Sequence, residues 1–225
     1  MFGKNQILKP ENGDGENLKV TSIFPTFQGE GPLAGHPSVF IRLSGCNLAC
    51  DFCDTEFDSF KEFSIDEITK KTLKLSVNEE GKRVRNLIVI TGGEPLRQEI
   101  SPLCDRLLQE GFEVQIETNG TLYRKLDSRI QIICSPKISN GKYHFIRSDL
   151  LPHINAFKFI ISDSRDGYQD ILQGIAQEKQ IAIYLQPMDE YDENKNRANA
   201  KRALELANKY GCRISIQMHK ILGIE

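Results

Sequence analysis

Three cysteines, Cys46, Cys50 and Cys53, lie in the spacing C-x3-C-x2-C within Ser44-Gly45-Cys46-Asn47-Leu48-Ala49-Cys50-Asp51-Phe52-Cys53-Asp54-Thr55. Thiolates gathered so closely repel one another unless a cation or a cluster neutralises them, so the loop reads as a metal centre. Three thiolates can hold a 4Fe-4S cluster and leave one iron open to another molecule. The competing reading is a zinc site completed by a fourth ligand such as His36 or Asp54, although no second C-x2-C pair follows. A second candidate is Thr91-Gly92-Gly93-Glu94-Pro95, where absent side chains would let backbone groups approach a ligand. Taken alone, a Gly-Gly pair reads equally as loop geometry. Gly29-Glu30-Gly31 lacks the G-x-G-x-x-G spacing, which disfavours a dinucleotide fold.

Strands and helices must carry these loops. Apolar runs at Val39–Leu43, Leu87–Thr91, Glu113–Glu117, Gln131–Cys134, Ala156–Ile161, Ile181–Gln186 and Arg213–Gln217 read as strands. Helical periodicity covers Ser64–Val77, Ile100–Glu110, Tyr168–Gln177 and Asn194–Tyr210. Strands alternating with helices imply right-handed crossovers and a parallel sheet. The stretch Ser135–Asn155 has no clear helix, so the expected fold is an α/β partial, open barrel in a single domain. Nearly every strand is followed by glycine-rich or polar sequence, which places the functional rim at the C-terminal strand ends.

Composition narrows the class of protein. With 29 Lys and Arg against 31 Asp and Glu, the net charge of −2 removes the electrostatic case for a nucleic-acid partner. The longest apolar run, Ile181–Leu185, cannot span a bilayer, and the start has no secretory signal, which predicts a cytoplasmic protein with no membrane partner. In a reducing compartment the six cysteines favour metal or catalytic use over bridging, while Cys104, Cys134 and Cys212 read as buried thiols. Residues 1–18 read as a flexible N-terminal lead-in, and 19–225 as the domain.

The cysteine loop and the Thr91–Pro95 stretch together resemble the radical S-adenosylmethionine (radical SAM) enzymes, whose fold is a partial TIM-like (β/α)6 barrel. Further strings narrow the resemblance: Gln28-Gly29-Glu30-Gly31, Phe40-Ile41-Arg42, Cys53-Asp54-Thr55, Glu117-Thr118-Asn119-Gly120, Ser135-Pro136-Lys137 and Gln217-Met218-His219-Lys220. From about residue 20 to the end, the chain is similar to the 7-carboxy-7-deazaguanine synthase family of queuosine and deazapurine biosynthesis.

That resemblance implies a lyase that converts 6-carboxy-5,6,7,8-tetrahydropterin by radical ring contraction with loss of ammonia. It implies three cofactors: a 4Fe-4S cluster on Cys46, Cys50 and Cys53, S-adenosyl-L-methionine on the open iron, and Mg2+ at Thr55. Phe52, Cys53, Asp54, Gly93, Glu94, Ser135, Pro136, Lys137 and Gln186 would contact the nucleoside cofactor. Phe27, Gln28, Gly29, Glu30, Arg42, Thr91, Glu117 and the terminal Glu225 would contact the substrate, Arg42 as a two-pronged cation for its carboxylate. Plainer roles stay open: a rim salt bridge for Arg42, a loop brace for Glu94, a cap for Glu117, a strand-end turn for Gln186. The resemblance also implies a homodimer and a flavodoxin-like electron donor. A radical-activating enzyme that acts on a partner protein and a non-catalytic zinc-binding module are the alternatives.

Overall fold

A computed structural model describes residues 5–53, 55, 59–172, 174 and 181–224. The first four strands and the first helix run β1 (Asn17–Phe27), β2 (Pro37–Leu43), β3 (Lys61–Ser64), α1 (Ile65–Ser76) and β4 (Leu87–Gly92). After α2 (Ser101–Gln109) come β5 (Glu113–Thr118), β6 (Gln131–Cys134), a small hairpin of β7 (Ile138–Ser139) and β8 (Lys142–Tyr143), and β9 (Ile154–Ile161). The chain ends with β10 (Ala182–Pro187), α3 (Glu193–Tyr210), β11 (Arg213–Ile214) and α4 (Met218–Leu222).

One nine-stranded sheet has the order β11-β10-β9-β6-β5-β4-β2-β1-β3. From β2 to β11 every pairing is parallel, and β1 and β3 extend the sheet antiparallel. Six parallel strands of four residues or more, with the short β11, curve as an open barrel; among the described residues no ladder joins β3 to β11. The α/β class and the open barrel agree with the sequence reading. Leu87, Ile88, Val89 and Ile90 of β4 are all buried, as a strand covered on both faces must be.

Sequence-visible signals end the helices. Ser64 caps α1 by accepting from the Glu67 N–H (3.3 Å) while the Glu67 carboxylate accepts from the Ser64 N–H (2.8 Å), a reciprocal capping box. The buried stripe of α2, with Leu103, Cys104 and Leu107, stops before Gly111 at φ +80°.

Four expectations differ from the structure. The eleven-residue β1 lies where no strand was expected, and its Leu18 is already buried. The last strand covers only Arg213–Ile214, because the backbone leaves the sheet and enters α4 by Met218. Of the expected helix Tyr168–Gln177, residues 168–172 are not helical: 168 and 169 form a turn, with the Tyr168 N–H bonded to Arg165 O, 170 is a bend and 171–172 are irregular, while residues 173 and 175–177 lie outside the described residues. Cys104 and Cys134 are fully buried, whereas Cys212 is half-buried at the edge of the core.

Candidate active site

The C-terminal ends of the parallel strands surround a cavity of about 240 Å³ that is lined by all three cysteines of the loop. A second chamber of about 160 Å³ shares Glu30, Thr55, Thr91, Gly92, Glu117 and Gln217 with it and adds Phe27, Gln28, Gly29 and Arg42. The two candidate groups therefore meet in one site, with thiols at one end and carboxylates and an arginine at the other.

Register builds the thiol end. Leu43 of β2 lies opposite Gly92 of β4, so the cysteine loop and the glycine turn leave adjacent strands at one level. There Gly93 N–H donates to Leu43 O (3.1 Å) and Glu94 N–H to Gly45 O (3.0 Å). A Cβ on Gly93 would run into the Gly45 carbonyl, and Gly92 has φ +129°, so both positions need glycine. Arg97, nearly fully buried, donates to Ser44 O (3.1 Å) and supports the start of the loop.

Burial pushes the Cys46 thiol up to about 12, against a hydrogen bond from Leu48 N–H to its sulfur (3.4 Å), while the Glu94 charge and the other two thiols raise it further. Burial also raises Cys50, opposed by the charge of Lys137. These thiols resist ionisation until a metal takes their protons' place. The residues fit an iron-sulfur cluster: three unbridged thiols share one loop and one cavity, and N–H donors reach two of the sulfurs. Among the described residues no three His, Cys, Asp or Glu side chains converge as a single-ion ligand set.

Around the thiols, Phe52, Gly93, Ser135, Lys137 and Gln186 line the cavity. Burial lowers the Lys137 ammonium, which donates to Ser135 O (2.8 Å) and Ser135 Oγ (2.7 Å). Gln186 Oε1 accepts from Ser215 Oγ (3.1 Å). Glu94 and Pro136 are not among the lining residues. The buried Glu94 carboxylate instead accepts from Leu96 N–H (3.1 Å), Thr118 Oγ1 (2.7 Å) and Asn119 N–H (2.7 Å), so it braces the turn against the end of β5; burial raises it despite these donors.

In the second chamber a buried cation organises the carboxylates. Lys158 Nζ, 4% exposed, bridges Glu30 and Glu117, at 2.7 Å from Glu117 Oε2. Gln28 Nε2 donates to Glu117 Oε1 (3.0 Å), Gln28 Oε1 accepts from Glu30 N–H (3.1 Å), and Gln217 Nε2 donates to Glu30 Oε1 (2.9 Å). Burial alone would raise the Glu30 carboxyl; the Lys158 charge and the hydrogen bonds from Lys158 and Gln217 outweigh it and hold it down to about 2. Arg42 stacks over the Phe24 ring at 5.4 Å and pairs with no carboxylate among the described residues. Gly29 lies against His219, where any side chain would collide, and its carbonyl accepts from Met218 N–H (3.1 Å). Asp54 and Glu225 lie outside the described residues.

Sequence reading assigned no role to Lys158, Arg97 or His219. A lone lysine in the otherwise uncharged strand Ile154–Ile161 was the available signal for the first.

The open parallel barrel and its three-thiol cavity define a radical SAM protein, and residues 40–135 match the Radical SAM superfamily. The chain is 51% identical over 225 residues to 7-carboxy-7-deazaguanine synthase of Rickettsia prowazekii (strain Madrid E), covering 100% of this chain and 96% of that one. It is 38% identical over 246 residues to that of Rhodospirillum rubrum, covering 100% of both. The chain belongs to the 7-carboxy-7-deazaguanine synthase family. Its fold superposes on the crystal structure of QueE from Escherichia coli with a TM-score of 0.74 at 27% identity, over 90% of this chain and 95% of that one. These relatives do not favour the partner-protein activator or the zinc module. No helix among the described residues is long and apolar enough to cross a membrane.

Proposed function

We propose that the chain converts 6-carboxy-5,6,7,8-tetrahydropterin to 7-carboxy-7-deazaguanine as a ring-contracting, ammonia-releasing lyase. One observation carries this reading: the three thiols and the Arg42–Glu30–Glu117 chamber share one continuous site, with Thr91 and Gly92 between them. Cys46, Cys50 and Cys53 hold a 4Fe-4S cluster. The cluster and S-adenosyl-L-methionine, when bound, supply the radical that removes a hydrogen atom from the substrate.

The chain's own residues bind and orient. Arg42, unpaired with any described carboxylate and stacked on Phe24, presents two parallel N–H groups to the substrate carboxylate. Glu30, kept ionised by Lys158, and Glu117, which Lys158 bridges to it, accept from the pterin N–H groups, and Gln28 fixes the spacing between them. Gly93, Phe52, Ser135, Lys137 and Gln186 contact the nucleoside cofactor, with Glu94 as the brace beneath them. Thr55, on the wall common to both chambers, offers a hard oxygen to Mg2+.

The domain that carries these groups, expected from residue 19, takes in the whole of β1 from Asn17, and a flavodoxin-like donor supplies the electron. A cytoplasmic location accords with six unbridged cysteines. Exposed Ile214, Ile216, Ile221 and Leu222 beside the open β11 edge support a homodimer.

The test is anaerobic incubation of the iron-loaded, reduced protein with the carboxytetrahydropterin and S-adenosyl-L-methionine, with mass spectrometry for the deazaguanine. Absence of product from protein that still cleaves the cofactor overturns the substrate assignment.

A further inference from the structure

The segment before β1 crosses the cysteine loop. Its downstream end is anchored at Glu11: the Glu11 N–H donates to Arg97 O (2.8 Å), its carboxylate accepts from Arg97 Nη1 (2.8 Å), and its carbonyl accepts from Arg124 Nη2 (2.6 Å). Arg97 Nη1 also reaches Lys9 O (3.2 Å), and the same buried guanidinium supports Ser44. Further upstream, Leu8 N–H donates to Cys46 O (2.8 Å), and Ile7 pairs with Cys46 as one rung of a parallel ladder. The Ile7 side chain is 65% exposed, so backbone bonds and not apolar burial hold the segment here. At its upstream end Asn5 Nδ2 donates to Thr55 O (2.8 Å) and lies 3.5 Å from Cys53 Sγ. The segment thus touches both the first and the third cysteine.

We propose that residues 5–11 form a strap that fixes the cysteine loop, and that Asn5 is a positioning residue whose side-chain N–H bonds the Cys53 sulfur and tunes the group held there. The proposal rests on the reading of Cys46, Cys50 and Cys53 as cluster ligands. A hydrogen bond to a thiolate stabilises the more electron-rich, reduced state, so it raises the reduction potential. A donor at one sulfur acts through the ligand and needs no contact with substrate.

The experiment uses the full chain, reconstituted anaerobically with iron and sulfide and without substrate, as wild type, Asn5→Ala, Asn5→Asp and Ile7→Ala. The readouts are iron and sulfide content, thermal melting and midpoint potential. Asn5→Ala is expected to lower the potential by about a tenfold change in the reduction equilibrium, about 59 mV for one electron. Asn5→Asp, which replaces the donor with a like charge, is expected to lower it further or to lose iron, and Ile7→Ala is expected to match wild type. Loss of iron from Asn5→Ala with an unchanged melt also supports the strap. Asn5→Ala with wild-type iron content and potential overturns the proposal. Wild-type protein that takes up no iron and sulfide overturns the ligand reading itself, which makes the two failures distinguishable.

Discussion

Lys158→Met removes a buried cation while keeping most of the volume of its stem. In the wild type the ammonium is 4% exposed and the carboxylates it bridges, Glu30 and Glu117, are 15% and 18% exposed. Removing one partner of a buried ion pair costs about 3–5 kcal/mol, because the remaining charge is left uncompensated. The Gln28, Gln115 and Gln217 amides still donate to the two carboxylates, so the lower end, about 3 kcal/mol, is expected. The assay is urea unfolding of the metal-free, reduced chain at pH 7.

The pH dependence has a definite sign. Against burial, the Lys158 charge and the hydrogen bonds from Lys158 and Gln217 hold the folded Glu30 carboxyl down to about 2, below its ordinary 4.5, so its contribution is complete above 4.5 and is lost as pH falls towards 2. The Lys158 ammonium is shifted upwards by the two carboxylates against its burial, so its contribution is complete below 10.5 and lost only above that. Without Lys158, burial lets the Glu30 carboxyl take up a proton at a higher pH than in the wild type, so the gap between wild type and variant is expected to be widest from neutral pH to about pH 9 and to narrow steadily into acid. A gap under about 1 kcal/mol at pH 7, or one that stays constant into acid, refutes the argument.

Three further outcomes follow from the site. Replacing Cys46, Cys50 or Cys53 by serine removes one thiolate of three, and each anaerobically purified variant is expected to keep less than about a tenth of the wild-type iron and sulfide. Gly93→Ala drives a methyl group into the Gly45 carbonyl and opens the turn; binding of S-adenosyl-L-methionine, measured by equilibrium dialysis, is expected to weaken at least about tenfold, or about 1.4 kcal/mol. Arg42→Ala is expected to raise KM for the carboxylated pterin by about 10–100-fold with little change in unfolding free energy, and Arg42→Lys to recover only part of it, since an ammonium cannot form both parallel bonds.

The features that depend on a few neighbouring residues were legible in the sequence. The cysteine spacing, the glycine stop after α2 and the apolar runs of β4 and β6 each lie within one short window. Strand β1 was not legible, for a physical reason. Its alternation starts at Asn17–Val20, then slips where the pairing register with β2 shifts between Val20 and Ser22, and Pro25 further on argues against a strand. Lys158 escaped because its meaning lies in partners 128 and 41 residues away, and a window around it shows only an apolar strand interrupted by one charge.

What no local window carries is register, and register is what turns these residues into a site. In β2, Ile41 and Leu43 are fully buried on one face while Arg42 between them lines the second chamber. A slip of one residue against β4 would turn Arg42 into that apolar face and send Ile41 or Leu43 into the chamber. The same register sets Arg42 opposite Thr91 and Leu43 opposite Gly92, which brings the Gly45 carbonyl within reach of the Glu94 N–H. The apolar alternation of β2 and β4 therefore does more than fill the core. By costing too much to slip, it fixes the height at which the cysteine loop and the glycine turn emerge, and so the separation between the thiols and the carboxylates across which a radical reaction would have to work.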